Sequence, residues 1–142
     1  MINPLLILSL FSEPSIPPSI IDPPEVLNSI DKKIWQCPTC NTAEKKTLKF
    51  LQTRGITDEY ALATVMGNIK QESNFISNIC EGGHRVSYHR CRSGGYGLIQ
   101  WTSPNRYYGL GRYAKNTGGD PSSIHTQLYY MITEREWMGY TR

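Results

Sequence analysis

The chain has 142 residues, 39% hydrophobic and 19% charged, which suits one folded domain with a real core and excludes a disordered chain. Its formal charge of +3 is uneven: residues 1 to 30 hold Glu13, Asp22 and Glu25 with no Lys or Arg, so the rest carries 15 cations against 9 acids, or +6. A moderately basic body suits an anionic polymer, whether nucleic acid or cell wall.

Six of the nine prolines fall in the first 24 residues, so residues 1–35 are expected to form an extended Pro-rich arm ahead of one domain over residues 36–142. The apolar run from Leu5 to Phe11 has no basic residue before it and is far shorter than the roughly 20 residues of a membrane span. Neither a transmembrane helix nor a signal peptide is expected. The Leu and Ile side chains of the arm suit docking on a neighbouring protein or another copy of the chain.

The first helix is expected from about Thr42 to Arg54, with Asn41 and Glu44 at capping-box spacing and Gly55 as its stop. Thr57 or Asp58 caps a second, which runs to about Ser73 through "ALATVMGNIKQESNF". Periodicity then disappears between Asn74 and Gly95. "GGYGLIQWT" follows as a short hairpin or extended segment, whose alternation places Tyr96, Leu98 and Gln100 on one face and Ile99 and Trp101 on the other. Ser103 and Pro104 start a helix that turns Tyr107, Leu110 and Ala114 inward and ends at Gly118; Asp120 and Pro121 start another with a stripe of Ile124, Leu128, Met131 and Ile132. The expected fold is mainly α with a small β part, about four helices packed around the helix carrying Glu72 and one short β-hairpin.

Glu72 closes the apolar stripe of the second helix. At about 100° per residue, the seven-residue step from Val65 brings its carboxyl back to nearly the same side. Burial beside Val65 and Ile69 and the negative end of the helix dipole both disfavour the charged form, a condition that suits a general acid. The plain alternative is a helix-end carboxylate paired with Lys70, Arg85 or Arg90. "GGYGLIQWT" adds glycines that admit a ligand to the backbone, an amide at Gln100 and aromatic faces, a combination suited to sugars.

The order "ALATVMGNIKQESNF", "GGYGLIQWT" and "TQLYYMITEREW" resembles the lysozyme domain of phage tail-associated peptidoglycan hydrolases, and more distantly goose-type lysozymes and lytic transglycosylases, over about Leu48 to Trp137. The resemblance implies cleavage of the β-1,4 bond between N-acetylmuramic acid and N-acetylglucosamine, with Glu72 as the acid and Ser73 beside it. It also implies a sugar groove lined by Tyr96, Gly97, Leu98 and Gln100, and a place in the virion, on the phage tail, acting on the host wall. A second carboxylate is expected if water is the nucleophile, and Glu81 is the best candidate; Asp120 has a structural explanation as a cap. In the distant relatives a 6-hydroxyl of the sugar replaces water, and the sequence does not choose between the two reactions. Trp101, Tyr107 and Tyr108 either stack on sugar rings or pack in the core.

Cys37, Cys40, Cys80 and Cys91 admit three arrangements: a structural zinc site of all four, disulfides including a Cys80 to Cys91 bridge beside the site, or free thiols. No cofactor is expected for catalysis. His84 and His89, with Arg85, Arg90 and Arg92, make a basic loop. The aromatics do not interleave with it as a nucleic-acid stacking platform requires, so the expected partners are glycan strands and, through residues 1–35, other tail proteins. The competing functions are a non-catalytic tail or baseplate module that binds sugar, a lysis endolysin, and a small zinc-binding interaction protein.

Overall fold

The computed structural model describes residues 34–92 and 94–138. The expected arm lies outside the described residues as far as residue 33. Helix α1 spans Thr42–Thr53 and opens with a complete capping box: Asn41 Oδ1 accepts the Glu44 N–H at 3.0 Å, and Glu44 Oε2 accepts the Asn41 N–H at 2.8 Å. Helix α2 spans Glu59–Ser73, with Asp58 accepting the Ala61 N–H at 2.9 Å and a left-handed Asn74 ending it.

The irregular stretch that follows is held by β1 (Ile79–Cys80) and β2 (His84–Arg85), paired antiparallel with Ile79 opposite Arg85 and Cys80 opposite His84. A single 3-10 turn covers Tyr88–Arg90. Helix α3 (Pro104–Thr117) has Ser103 at its cap and Gly118 at its left-handed end. Helix α4 covers Ile124–Met131, and the one-turn α5 covers Arg135–Met138. The fold is thus mainly helical with a small antiparallel sheet. No helix among the described residues is long and apolar enough to cross a membrane.

Two local expectations change. The α4 cap is Ser123, whose hydroxyl accepts the Thr126 N–H, while Asp120 instead accepts the Ser122 N–H at 2.8 Å. The Asp120 carboxylate closes an Asx turn that delays the helix by one turn. The two-stranded ladder also lies upstream of "GGYGLIQWT". Tyr96 makes only an isolated bridge to Cys80, and Gly97 to Gln100 fold into a turn with φ of +76° at Gly97 and +49° at Gln100. Period-two alternation presupposes an extended strand, and this backbone is not extended.

Helix α1 packs against both α2 and α4, and α4 against α3. The core between them holds Leu51, Ile69, Leu98, Trp101 and Leu110, all fully buried, each worth about 1.5–3 kcal/mol of transfer free energy or more. Trp35 is tied to this body, donating its backbone N–H to Gln52 Oε1 at 2.7 Å and its indole N–H to Thr57 O at 2.8 Å.

The cysteines do not gather into one four-thiolate centre. They stand as two disulfides, Cys37–Cys40 before α1 and Cys80–Cys91 across the irregular stretch, and the described residues hold no group of three or more metal-ligating side chains. Each pair is close enough in space to bridge within itself, with Cα separations of 5.3 and 5.5 Å.

Candidate functional site

The α2 stripe is centred on Leu62, Ile69 and Ser73, all buried, while Val65 is only half-buried. Glu72 lies three residues beyond Ile69, roughly 60° round the helix from it. It therefore emerges at the edge of the stripe and is exposed, contrary to the burial that the Val65 spacing implies. It makes no hydrogen bond or ion pair among the described residues. Lys70, its expected alternative partner, is committed to Glu44 at 3.2 Å.

Two depressions meet at this carboxylate. One, of about 500 Å³, is walled by Ile79, Glu81, Gly82, Gly95, Gln100 and Thr102; the other, of about 610 Å³, by Ala61, Val65, Asn68, Ile99, Arg106 and Trp137. Among the described residues Glu72 is the one that lines both, so it stands on the ridge between them. The first is polar and the second largely apolar. A larger depression of about 820 Å³ lies between α1 and residues 34–38; among the described residues it has no acidic side chain in its wall, and Glu72 does not line it.

Glu81 faces the polar depression from the turn after β1. Its Oε2 accepts the Gly95 N–H at 2.9 Å, and its own backbone N–H donates to Gly95 O at 2.8 Å. This double tie needs Gly94, because a Cβ there would stand 1.8 Å from Glu81 Oε2, and φ at Gly94 is +77°. Gln100 reaches the same depression with its Nε2 donating to Gly97 O at 2.9 Å. The structure thus brings together Glu72, Glu81 and Gln100.

It does not bring Ser73, Tyr96, Gly97, Leu98 or Trp101 to the surface. All five are buried, and none lines either depression. Their contribution is to position the site. Ser73 Oγ donates to Leu98 O at 2.8 Å, with Ile69 O at 3.1 Å as a second acceptor, joining the end of the Glu72 helix to the Gly97 turn. The Tyr96 hydroxyl lies 3.0 Å from Val86 O and 2.9 Å from Ser122 Oγ, and burial pushes its ionisation upward. Trp101 donates its indole N–H to Glu134 Oε2 at 2.9 Å, and Glu134 is also gripped by Arg106 through two bonds of 2.7 and 2.8 Å. Tyr107 is half-buried, its ring stacked on Tyr88 at 4.3 Å.

Several of these residues escape a reading of the sequence. Gln127 is fully buried in α4 and holds the Gly97 turn by accepting the Leu98 N–H; its signal is a polar residue inside the stripe of Ile124, Leu128 and Met131. Glu134 and Arg106 have one available signal: a buried tryptophan requires an acceptor for its N–H. Backbone strain also collects here. Asn74, Phe75 and Gln100 are non-glycine residues with φ between 49° and 61°, a conformation that persists only where the surroundings enforce it.

A model of the family described as phage tail lysozyme matches residues 42–142, from the first residue of α1 onward. No curated protein and no solved structure matches the chain.

Proposed function

Because the chain belongs to the phage tail lysozyme family, we propose that it cleaves the β-1,4 bond between N-acetylmuramic acid and N-acetylglucosamine during passage through the host wall, with Glu72 as general acid. The observation that carries this reading is the ridge position of Glu72. A glycan laid along both depressions crosses the ridge, and the bond at the crossing meets the carboxyl.

Glu72 is open to water in the free protein, and a bound glycan covers it. Covering by substrate brings the carboxyl and the bond at the crossing together away from bulk water, so the glycan supplies the enclosure that the helix alone does not. The carboxyl gives its proton to the leaving glycosidic oxygen as positive charge develops at the anomeric carbon. Glu81, held at Oε2 by the Gly95 N–H, keeps Oε1 available to orient a water molecule or to face the developing charge. Gln100 and the backbone around Gly95 line the same wall and are suited to acetamido and hydroxyl groups.

Two measurements test this. Glu72→Gln is expected to abolish release of glycan fragments while binding to insoluble peptidoglycan survives; cleavage at an unchanged rate would overturn the catalytic role, and a wild-type protein that binds without cleaving would identify a binding module. Mass spectrometry of the products separates the chemistries: reducing-end muramic acid reports hydrolysis, and 1,6-anhydromuramic acid reports transglycosylation.

A further inference from the structure

The polar depression beside Glu72 continues past Thr102 into a third, of about 200 Å³, walled by Arg92, Gly94, Thr102, Pro104, Tyr107 and Tyr108. Thr102 lines both, just as Glu72 lines the first two, so the three depressions form one run with Glu72 at one junction and Thr102 at the other. A linear polymer that crosses Glu72 and fills the polar depression arrives next at Tyr108.

Tyr108 is 59% exposed. Single exposed aromatics are ordinary on protein surfaces. This one is supported from below: its ring meets Tyr107 edge-on at 5.6 Å, and Tyr107 is itself stacked on the buried Tyr88 and bonded by its hydroxyl to Tyr88 O. Tyr108 is thus packed against a supported ring while more than half exposed on the wall of the depression, and an exposed ring in a groove wall suits the apolar face of a sugar. Arg92, exposed and without an ion pair among the described residues, borders the same hollow. Glu81 is the nearest acid in sequence, and it is held by Gly95.

We propose that this third depression extends the glycan groove away from the cleaved bond, Tyr108 stacking on a sugar ring and Arg92 pairing with a carboxylate of the peptide stem borne by muramic acid. The proposal rests on the reading of Glu72 given above. It makes recognition of peptidoglycan, as distinct from an uncharged glycan, a property of Arg92, and chain-length dependence a property of Tyr108.

The test uses the full chain and two substrates, intact peptidoglycan and glycan strands stripped of their peptides by an amidase, with the lactyl carboxylates that this frees capped as methylamides so that no anion remains. Tyr108→Ala is expected to raise KM about tenfold on both, with kcat changed less than about twofold, the scale of one lost stacking contact; Tyr108→Trp should restore the wild-type KM. Arg92→Gln should raise KM roughly threefold on intact peptidoglycan only, an effect that fades with added salt. An unchanged KM in Tyr108→Ala, a loss confined to kcat, or an equal effect of Arg92→Gln on both substrates would overturn the assignment. Co-sedimentation with insoluble peptidoglycan reads binding apart from cleavage. If the wild type binds but does not cleave, the reading of Glu72 fails, while weaker binding of Tyr108→Ala still supports the extended groove and equal binding still removes it.

Discussion

The side-chain oxygen of Gln127 accepts the backbone N–H of Leu98 at 2.9 Å, joining two residues 29 apart in sequence, while its Nε2 donates to Ser77 O at 2.6 Å and Pro121 O at 2.7 Å. One buried amide therefore satisfies three backbone groups and fixes the turn that carries Gln100. Gly97 sits against it so closely that a Cβ would approach Gln127 Oε1 to 2.5 Å. Gln127→Leu, which leaves all three groups unpaired, is expected to cost about 3 kcal/mol or more, measured by denaturant unfolding. Gln127→Glu should also be destabilised, because it sets an oxygen against two carbonyls.

Gly94→Ala tests the tether of Glu81. The added methyl cannot coexist with the Glu81 carboxylate in its present place, and its strain should cost roughly 1–2 kcal/mol at the positive φ. Glycan cleavage should fall to the level of Glu81→Gln, and the double variant should fall no further, since both remove the same group from the site. Full activity in Gly94→Ala alongside a crippled Glu81→Gln would show that Glu81 does not need this tether.

Stability should decline at high pH. Burial first, and the neighbouring Tyr107 second, push the Tyr88 hydroxyl up to about 12 from its ordinary 10, and burial raises Tyr96 and Tyr107 as well. A group with a raised folded value contributes stability that is complete below the unfolded value and lost as pH climbs through the folded one. Unfolding free energy is therefore expected to fall between about pH 10 and 12. Tyr88→Phe should flatten that decline, and also weaken the fold at neutral pH by deleting the bond to Tyr107 O.

The acid limb has a different source. The Asn41 N–H first, and the Lys70 side chain next, hold the Glu44 carboxyl below its ordinary value. A depressed folded value gives stability that is present above the unfolded value and lost as pH falls through the folded one. Glu44→Gln keeps an acceptor for the capping box and removes the charge, so its stability should change less with pH on the acid side, as thermal unfolding would record.

Reducing agents should loosen the site region while chelators leave it unchanged. Cys80–Cys91 closes a separation of 11 residues, and losing such a link costs roughly 3 kcal/mol on chain-entropy grounds. Replacing both with Ser should lower Tm more than replacing Cys37 and Cys40, whose separation is 3. A fall in Tm on chelation would instead point to bound metal.

The helices were legible because their signals are local. Asn41 with Glu44, Asp58, Ser103 before Pro104, and Gly118 each act within one helical turn, so spacing alone marks α1, α2 and the ends of α3. Asp120 shows the limit: a carboxylate before a proline can cap a helix or close an Asx turn, and only the packed backbone selects Ser123.

Sequence by itself determined the helical framework, the place of Glu72 at the end of a helix and the family to which residues 42–142 belong, since each depends on near neighbours or on the order of motifs. Tertiary structure alone decided which side chains of "GGYGLIQWT" face solvent. Tyr96, Leu98 and Trp101 are drawn inward by Ser122, Gln127 and Glu134, partners 26 to 33 residues away, and Gln100 is left on the groove. It also decided that Glu72 stands exposed between two hollows. The helical period gives a direction around an axis, whereas burial depends on what other elements place against that direction.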